Sequence, residues 1–142
     1  MILILLGCKS KKNSMPDEIT NNQSGDQAVK ISAEIGDLET ESALIEITDA
    51  RIIGNTLYLA VAYSGGCKDH EFKLFGASMI AKSLPPIRSM KLIHNNNDDN
   101  CRAYLLQKIE VDLRELAYQK EKGSVIYLNL DGWKERLTYT YE

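Results

Sequence analysis

The sequence predicts an all-β domain, an antiparallel β-sandwich of six or seven short strands. Three observations lead there. From about residue 29 onward, apolar and polar residues alternate in short runs. Turn signals separate those runs about every 8–12 residues, the spacing of sandwiches and barrels. One stretch alone has helix-forming composition, too little for an alternating α/β fold. An immunoglobulin-like arrangement is the expected form, and a small barrel is the alternative.

The elements follow in order. In residues 44–53, Ile45 and Ile47 share one face while Glu46 and Thr48 share the other. The phase then shifts to Ala50 and Ile52, which predicts a β-bulge near residues 48–50. Gly54-Asn55 is a two-residue hairpin signal, and the return run TLYLAVAY puts Leu57, Leu59, Val61 and Tyr63 in phase. After Gly65-Gly66, the run HEFKLF places His70, Phe72 and Leu74 together. Pro85-Pro86 breaks the chain, and IRSMKLIH then aligns Met90, Leu92 and His94. From Cys101, residues Ala103, Leu105, Ile109, Val111 and Leu113 fall on one side, opposite Arg102, Lys108 and Glu110. DLRELAYQKEK, residues 112–122, predicts a short helix with Asp112 as its N-cap, an apolar face of Leu113, Leu116 and Ala117, and a stop at Gly123. VIYLNL, the turn signal Asp131-Gly132 and LTYTY complete the domain.

A chain of 142 residues with 44% apolar and 26% charged residues is long enough for one real core. A net charge of −3 provides no general attraction for nucleic acid, so none is expected as a partner. The start, MILILLGC, differs from the rest. Its apolar run is too short to span a membrane, but it matches the end of a secretory signal followed by a lipobox cysteine. A short core strand of a cytosolic protein is the alternative. Residues 1–8 are therefore expected to be a lipoprotein signal remnant with Cys8 as the lipidated residue. Residues 9–28 are too polar to offset their ordering entropy and are expected to be a disordered tether; residues 29–142 form the domain. A membrane is therefore one expected partner, through the lipid on Cys8, and Lys9, Lys11 and Lys12 also suit anionic headgroups.

If Cys8 carries lipid, Cys67 and Cys101 remain as a pair. Behind a secretory signal the compartment is oxidising, so a Cys67–Cys101 disulfide is expected. The alternative is a zinc site, because Cys67, His70, His94 and Cys101 have the identities of a Cys₂His₂ set and Cys67 and His70 have C-x₂-H spacing. Zinc is the one cofactor considered; otherwise none is expected. His70 and His94 fall in phase with apolar neighbours, so they read first as core-edge residues. They are also the candidate ligand or metal residues, with Asp69 or Asp98 as a third donor. NNNDDN, residues 95–100, lacks the glutamate that completes a calcium loop and reads as a plain hairpin loop. No catalytic motif is found, and no catalytic residue is assigned.

GGCKDHEFKL, LIHNNNDDNCRAYL and the L-L-G-C start resemble a group of small uncharacterised lipoproteins of Bacteroidetes-type bacteria, through G-G-C-x-x-H-x-F and H-x₆-C. The resemblance implies a cell-envelope location and a β-sandwich, and nothing about substrate. In those bacteria, acidic residues after the lipidated cysteine are associated with surface export. Lys9-Ser10-Lys11-Lys12 departs from that pattern, which implies a periplasm-facing protein, most naturally on the outer membrane. The expected function is a non-enzymatic binding or structural module of the envelope, recognising a protein or small ligand. The alternative is a metal-handling envelope protein that uses His70 and His94.

Overall fold

In a computed structural model of the chain, residues 27–142 are described. Cys8 and nearly all of the tether lie outside the described residues. Nine strands run in chain order: β1 Val29–Ser32, β2 Glu34–Ile35, β3 Glu46–Ile53, β4 Thr56–Gly65, β5 Glu71–Gly76, β6 Ile87–Asn95, β7 Ala103–Asp112, β8 Val125–Leu130 and β9 Leu137–Thr140. They form two sheets, β1-β7-β4-β3 and β2-β5-β6-β8-β9. The all-β sandwich expected from the alternation is the fold observed. No helix among the described residues is long and apolar enough to cross a membrane.

Three details differ from the expectation. The sheets are mixed: β1 pairs with β7, β2 with β5 and β6 with β8, all in parallel. A period of two records which face a side chain occupies but not which way the strand runs. The pairing of β6 with β8 follows from β7 crossing to the other sheet between them, so two reversals leave the flanking strands parallel. The strand order also departs from the immunoglobulin order, in which the sheets read A-B-E-D and C-F-G. The strand count is higher than six or seven because the short first segment serves both sheets. It passes through buried Ala33, whose N–H donates to the Asp112 carbonyl of one sheet, and three residues later the Gly36 N–H reaches the Gly76 carbonyl of the other.

The helix expected over residues 112–122 is a single 3₁₀ turn, Arg114–Leu116. Leu113 and Leu116 are both fully buried, and their spacing of three suits that tighter turn. So short a stretch cannot sustain a helix on composition alone. Asp112 belongs to β7, and Leu113 takes the N-cap position of the turn with no side-chain cap; the Asp112 carboxylate accepts the Arg114 N–H at 3.0 Å from one residue further back.

The bulge appears where the phase shift placed it, as a register break between Ile47 and Asp49. Gly54, with φ +59°, makes the two-residue turn between β3 and β4. The core between the sheets is built from the in-phase residues, including Leu57, Leu59 and Val61 from one sheet and Leu74, Met90, Leu92, Ile126 and Leu128 from the other.

Asn55 in that turn ties the sheets together at one corner. Its Oδ1 accepts the buried Tyr139 hydroxyl at 2.8 Å and the Glu142 N–H at 3.0 Å, and its Nδ2 donates to the Glu142 carbonyl at 2.8 Å. Burial pushes the Tyr139 phenol up to about 12, so it stays a neutral donor. Asn55→Ala strands that hydroxyl. We expect a loss of about 1–3 kcal/mol in urea unfolding, with an unchanged slope against denaturant. A midpoint equal to that of the parent would mean the corner contributes nothing.

Candidate functional site

The other end of the sandwich collects the chemically versatile residues. His94 continues the core-facing phase of Met90 and Leu92 at the end of β6, opposite Phe72 of β5. His70 immediately precedes β5 and extends the phase of Phe72 and Leu74. Alternation thus aims both imidazoles at the gap between the sheets. There Tyr63 of β4 lies over both rings at centroid distances of 4.7 and 4.8 Å, and Phe72 stacks on His94 at 5.2 Å.

The rings meet directly. His70 Nδ1 lies 2.7 Å from His94 Nε2. The outer nitrogens are engaged as well: His94 Nδ1 lies 3.1 Å from the Leu44 carbonyl, and His70 Nε2 lies 3.0 Å from Asp99 Oδ2. A chain of hydrogen bonds therefore runs from Leu44 through His94 and His70 to Asp99. It is deeply buried: the His70 side chain is 2% exposed and the Asp99 side chain 0%. The backbone of His94 also grips the 42–44 segment, through N–H to Ser42 Oγ at 2.9 Å and through its carbonyl from Ala43 N–H at 2.8 Å.

Asp99 anchors the chain. Its Oδ2 accepts the N–H groups of Cys67 and Lys68, each at 3.0 Å, and its Oδ1 accepts that of Cys101 at 2.9 Å. The His70 contact above all, and then the Cys101, Cys67 and Lys68 N–H groups, hold its carboxyl well below the usual carboxylate range, against the opposing effect of burial. Burial chiefly lowers the proton affinity of His94, and the neighbouring His70 lowers it further; the bonds to Leu44 and Ala43 oppose this.

Around Asp99 the two loops are stitched covalently. Cys67 and Cys101 form a disulfide with Cα atoms 5.9 Å apart. Lys68 Nζ donates to the Asn97 carbonyl at 2.9 Å, and Asn97 Nδ2 donates to the Asp69 carbonyl at 2.6 Å. The Cys₂His₂ set is thus split. Its sulfurs bond each other, and its imidazoles bond each other at a distance shorter than two ligands of one zinc ion would keep. Ligand atoms of Cys67, Asp99 and Cys101 do lie within 4.8 Å of one another, but both sulfurs belong to the disulfide.

The site carboxylate is neither Asp69 nor Asp98. Both are exposed, whereas Asp99 is buried. Asn97 and Asp98 take left-handed backbone, φ +51° and +56°, and this turn brings Asp99 inward. Nothing in NNNDDN announces which acid turns in. The available signal was local: an aspartate two residues before Cys101 can accept that residue's N–H. Gly65 is explained by the same pair, since a Cβ there would sit 2.6 Å from His70 Nε2 and 3.0 Å from Asp99 Oδ2. Gly66 is explained by its φ of +116°.

No protein-family model matches the chain, and no curated protein matches it. Among solved structures, it is similar to a NigD-like immunity protein from Bacteroides caccae, with a TM-score of 0.63 and 15% identity over 81% of this chain and 65% of that one. It is also similar to a candidate toxin-related protein from Parabacteroides distasonis, with a TM-score of 0.51 and 16% identity over 81% of this chain and 61% of that one. A protein of unknown function from Bacteroides vulgatus matches with a TM-score of 0.50 and 19% identity, over 81% of this chain and 57% of that one. These likenesses show a common fold, and the chain spans less than two thirds of each neighbour's length.

Two outcomes follow from the geometry. Gly65→Ala forces its methyl into the His70–Asp99 contact and costs about 1–3 kcal/mol in denaturant unfolding, the usual range for overpacking. A neutral or stabilising result would show that the contact yields freely. Asp99→Asn lowers stability at neutral pH and flattens its acid side. A carboxyl depressed in the folded state contributes stability above its unfolded value and loses it as pH falls through the folded one. Equal acid slopes in parent and variant, compared by urea midpoints, would remove Asp99 as the source.

Proposed function

We propose that this protein is a periplasm-facing lipoprotein, anchored through Cys8 and held off the membrane by residues 9–28, that binds a protein partner and catalyses no reaction. The observation that carries this reading is the consumption of its versatile side chains by its own architecture. The chain has two histidines, and every ring nitrogen of both is already engaged in the buried chain from Leu44 to Asp99. Neither is available as a general base or as an open metal ligand.

What this network braces is an exposed polar end of the sandwich. Lys68, Asp69, Asn97, Asp98 and Arg102 face solvent there, on loops held by the disulfide and by Asp99, with Glu71 beside them at the start of β5. A rigid scaffold that presents pre-organised loops is a common basis for recognition. One surface hollow among the described residues supports a protein partner over a small ligand. It has a volume of about 390 Å³, is open and is lined by residues such as Glu39, Lys91, Asn129 and Asp131, unlike the mostly apolar, enclosing pockets of small molecules. The fold neighbour described as an immunity protein supports the same reading, since such a role is one of binding.

Two experiments test this. Cys8→Ser releases the protein from the membrane fraction into the soluble fraction; persistent membrane association would refute lipid anchoring. A photo-crosslinking residue at position 68, 98 or 102 captures a discrete protein in the producing cells, whereas the same residue at position 129 does not. Equal labelling at all four positions would refute a binding face at the loop end.

A further inference from the structure

We infer that the His70–His94 pair is a proton-binding site: in the folded protein at neutral pH it holds one proton more than two neutral imidazoles, and the Asp99 carboxylate balances the charge. This is independent of what the loop end recognises. It follows from a count of donors and acceptors. The chain of contacts begins at a carbonyl oxygen, Leu44, and ends at a carboxylate oxygen, Asp99 Oδ2. Both ends are acceptors. Between them lie three hydrogen-bond contacts, at 3.1, 2.7 and 3.0 Å, and four ring nitrogens. Each contact needs one hydrogen, so three are required, yet two neutral imidazoles carry two.

Each of the four neutral arrangements fails at one contact or more. With hydrogens on Nδ1 of both rings, the His70 Nε2 lone pair faces the carboxylate. With hydrogens on Nε2 of both rings, the His94 Nδ1 lone pair faces the Leu44 carbonyl. With hydrogens on the outer nitrogens, two lone pairs face each other across 2.7 Å. With hydrogens on both facing nitrogens, two N–H groups oppose each other and both outer contacts lack a hydrogen. A third proton removes the conflict in the first three cases. Asp99 is poorly placed to carry it, because its oxygens already receive three backbone N–H groups. The depressed proton affinities of Asp99 and His94 agree in placing the charge toward the Asp99 side of the pair.

The surroundings contain no rival counter-charge in contact with the rings. From β4, Tyr63 presents a neutral phenol ring, its ionisation pushed up by burial. From the 66–70 loop, Lys68 Nζ is bound to the Asn97 and Asp98 carbonyls, and Asp69 is exposed. From β5, exposed Glu71 accepts from Asn95, and from the 96–102 loop Asp98 and Arg102 are exposed. Segment 42–45 is Ser-Ala-Leu-Ile and offers no charge. The proton therefore joins four chain segments: residues 42–45, the start of β5, the end of β6 and the loop that carries Asp99. Against two imidazoles that charge freely in the unfolded chain, a pair holding one proton is favoured most near the unfolded imidazole value: the advantage is lost as pH rises through the folded value, and it also shrinks at lower pH, where the unfolded chain takes up the second proton that His94 resists.

The test uses the full-length, disulfide-bonded protein labelled with ¹⁵N. Long-range ¹H–¹⁵N spectra of the imidazoles at neutral pH should show three protonated ring nitrogens and one bare nitrogen in total. As pH rises and the pair releases its proton, the unfolding equilibrium constant should increase by up to about tenfold per pH unit. Two bare nitrogens at neutral pH, one on each ring or both on one side of a broken contact, would overturn the inference. A pH-independent stability across the range in which the rings titrate would overturn it as well.

Discussion

The acceptor capacity of one buried carboxylate organises the histidine end of this protein. Asp99 receives backbone N–H groups from both sides of the disulfide, Cys67 and Lys68 on one loop and Cys101 on the other, and it closes the histidine chain. A buried carboxylate is costly unless its lone pairs are filled. Here each filled lone pair also positions a loop, so satisfying the charge and fixing the shape are the same act. The covalent bridge holds the same two loops across a sequence separation of 34 residues. It restrains the unfolded chain, while Asp99 defines the geometry within the folded one.

The two ends of the sandwich solve the closure problem differently. At the Asn55 corner, an uncharged amide links a turn of one sheet to the last strand of the other. Near the start of β6, the buried guanidinium of Arg88 pins the chain by donating to the Leu116 carbonyl at 3.2 Å and to the Ala77 carbonyl. Both contacts leave the ends insensitive to pH near neutrality. The histidine end couples its cohesion to titratable rings, and it carries the exposed polar loops. The buried network and the exposed polar loops therefore share the same segments there.

Much of this was legible from residue order. The alternating runs placed Leu57, Leu59, Val61, Leu74, Met90 and Leu92 in the core, and the same phase put His70 and His94 among them. The bulge after Ile47 was visible as a phase slip. The pairing of Cys67 with Cys101, which the structure shows, was expected on the reading that Cys8 carries lipid behind a secretory signal and leaves these two as a pair. The helical composition of residues 112–122 misled, because burial of Leu113 and Leu116 outweighed propensity in so short a segment.

The sequence by itself determined the fold class and the inward-facing residues, since both depend on periodicity. The tertiary structure alone decided strand direction, the partnership of the two imidazoles and the choice of Asp99 over Asp69 and Asp98. These depend on which strands become neighbours and on how two left-handed residues, Asn97 and Asp98, turn a loop inward. Alternation fixes a face without fixing a neighbour, and a hydrogen-bond chain exists only once its neighbours are in place.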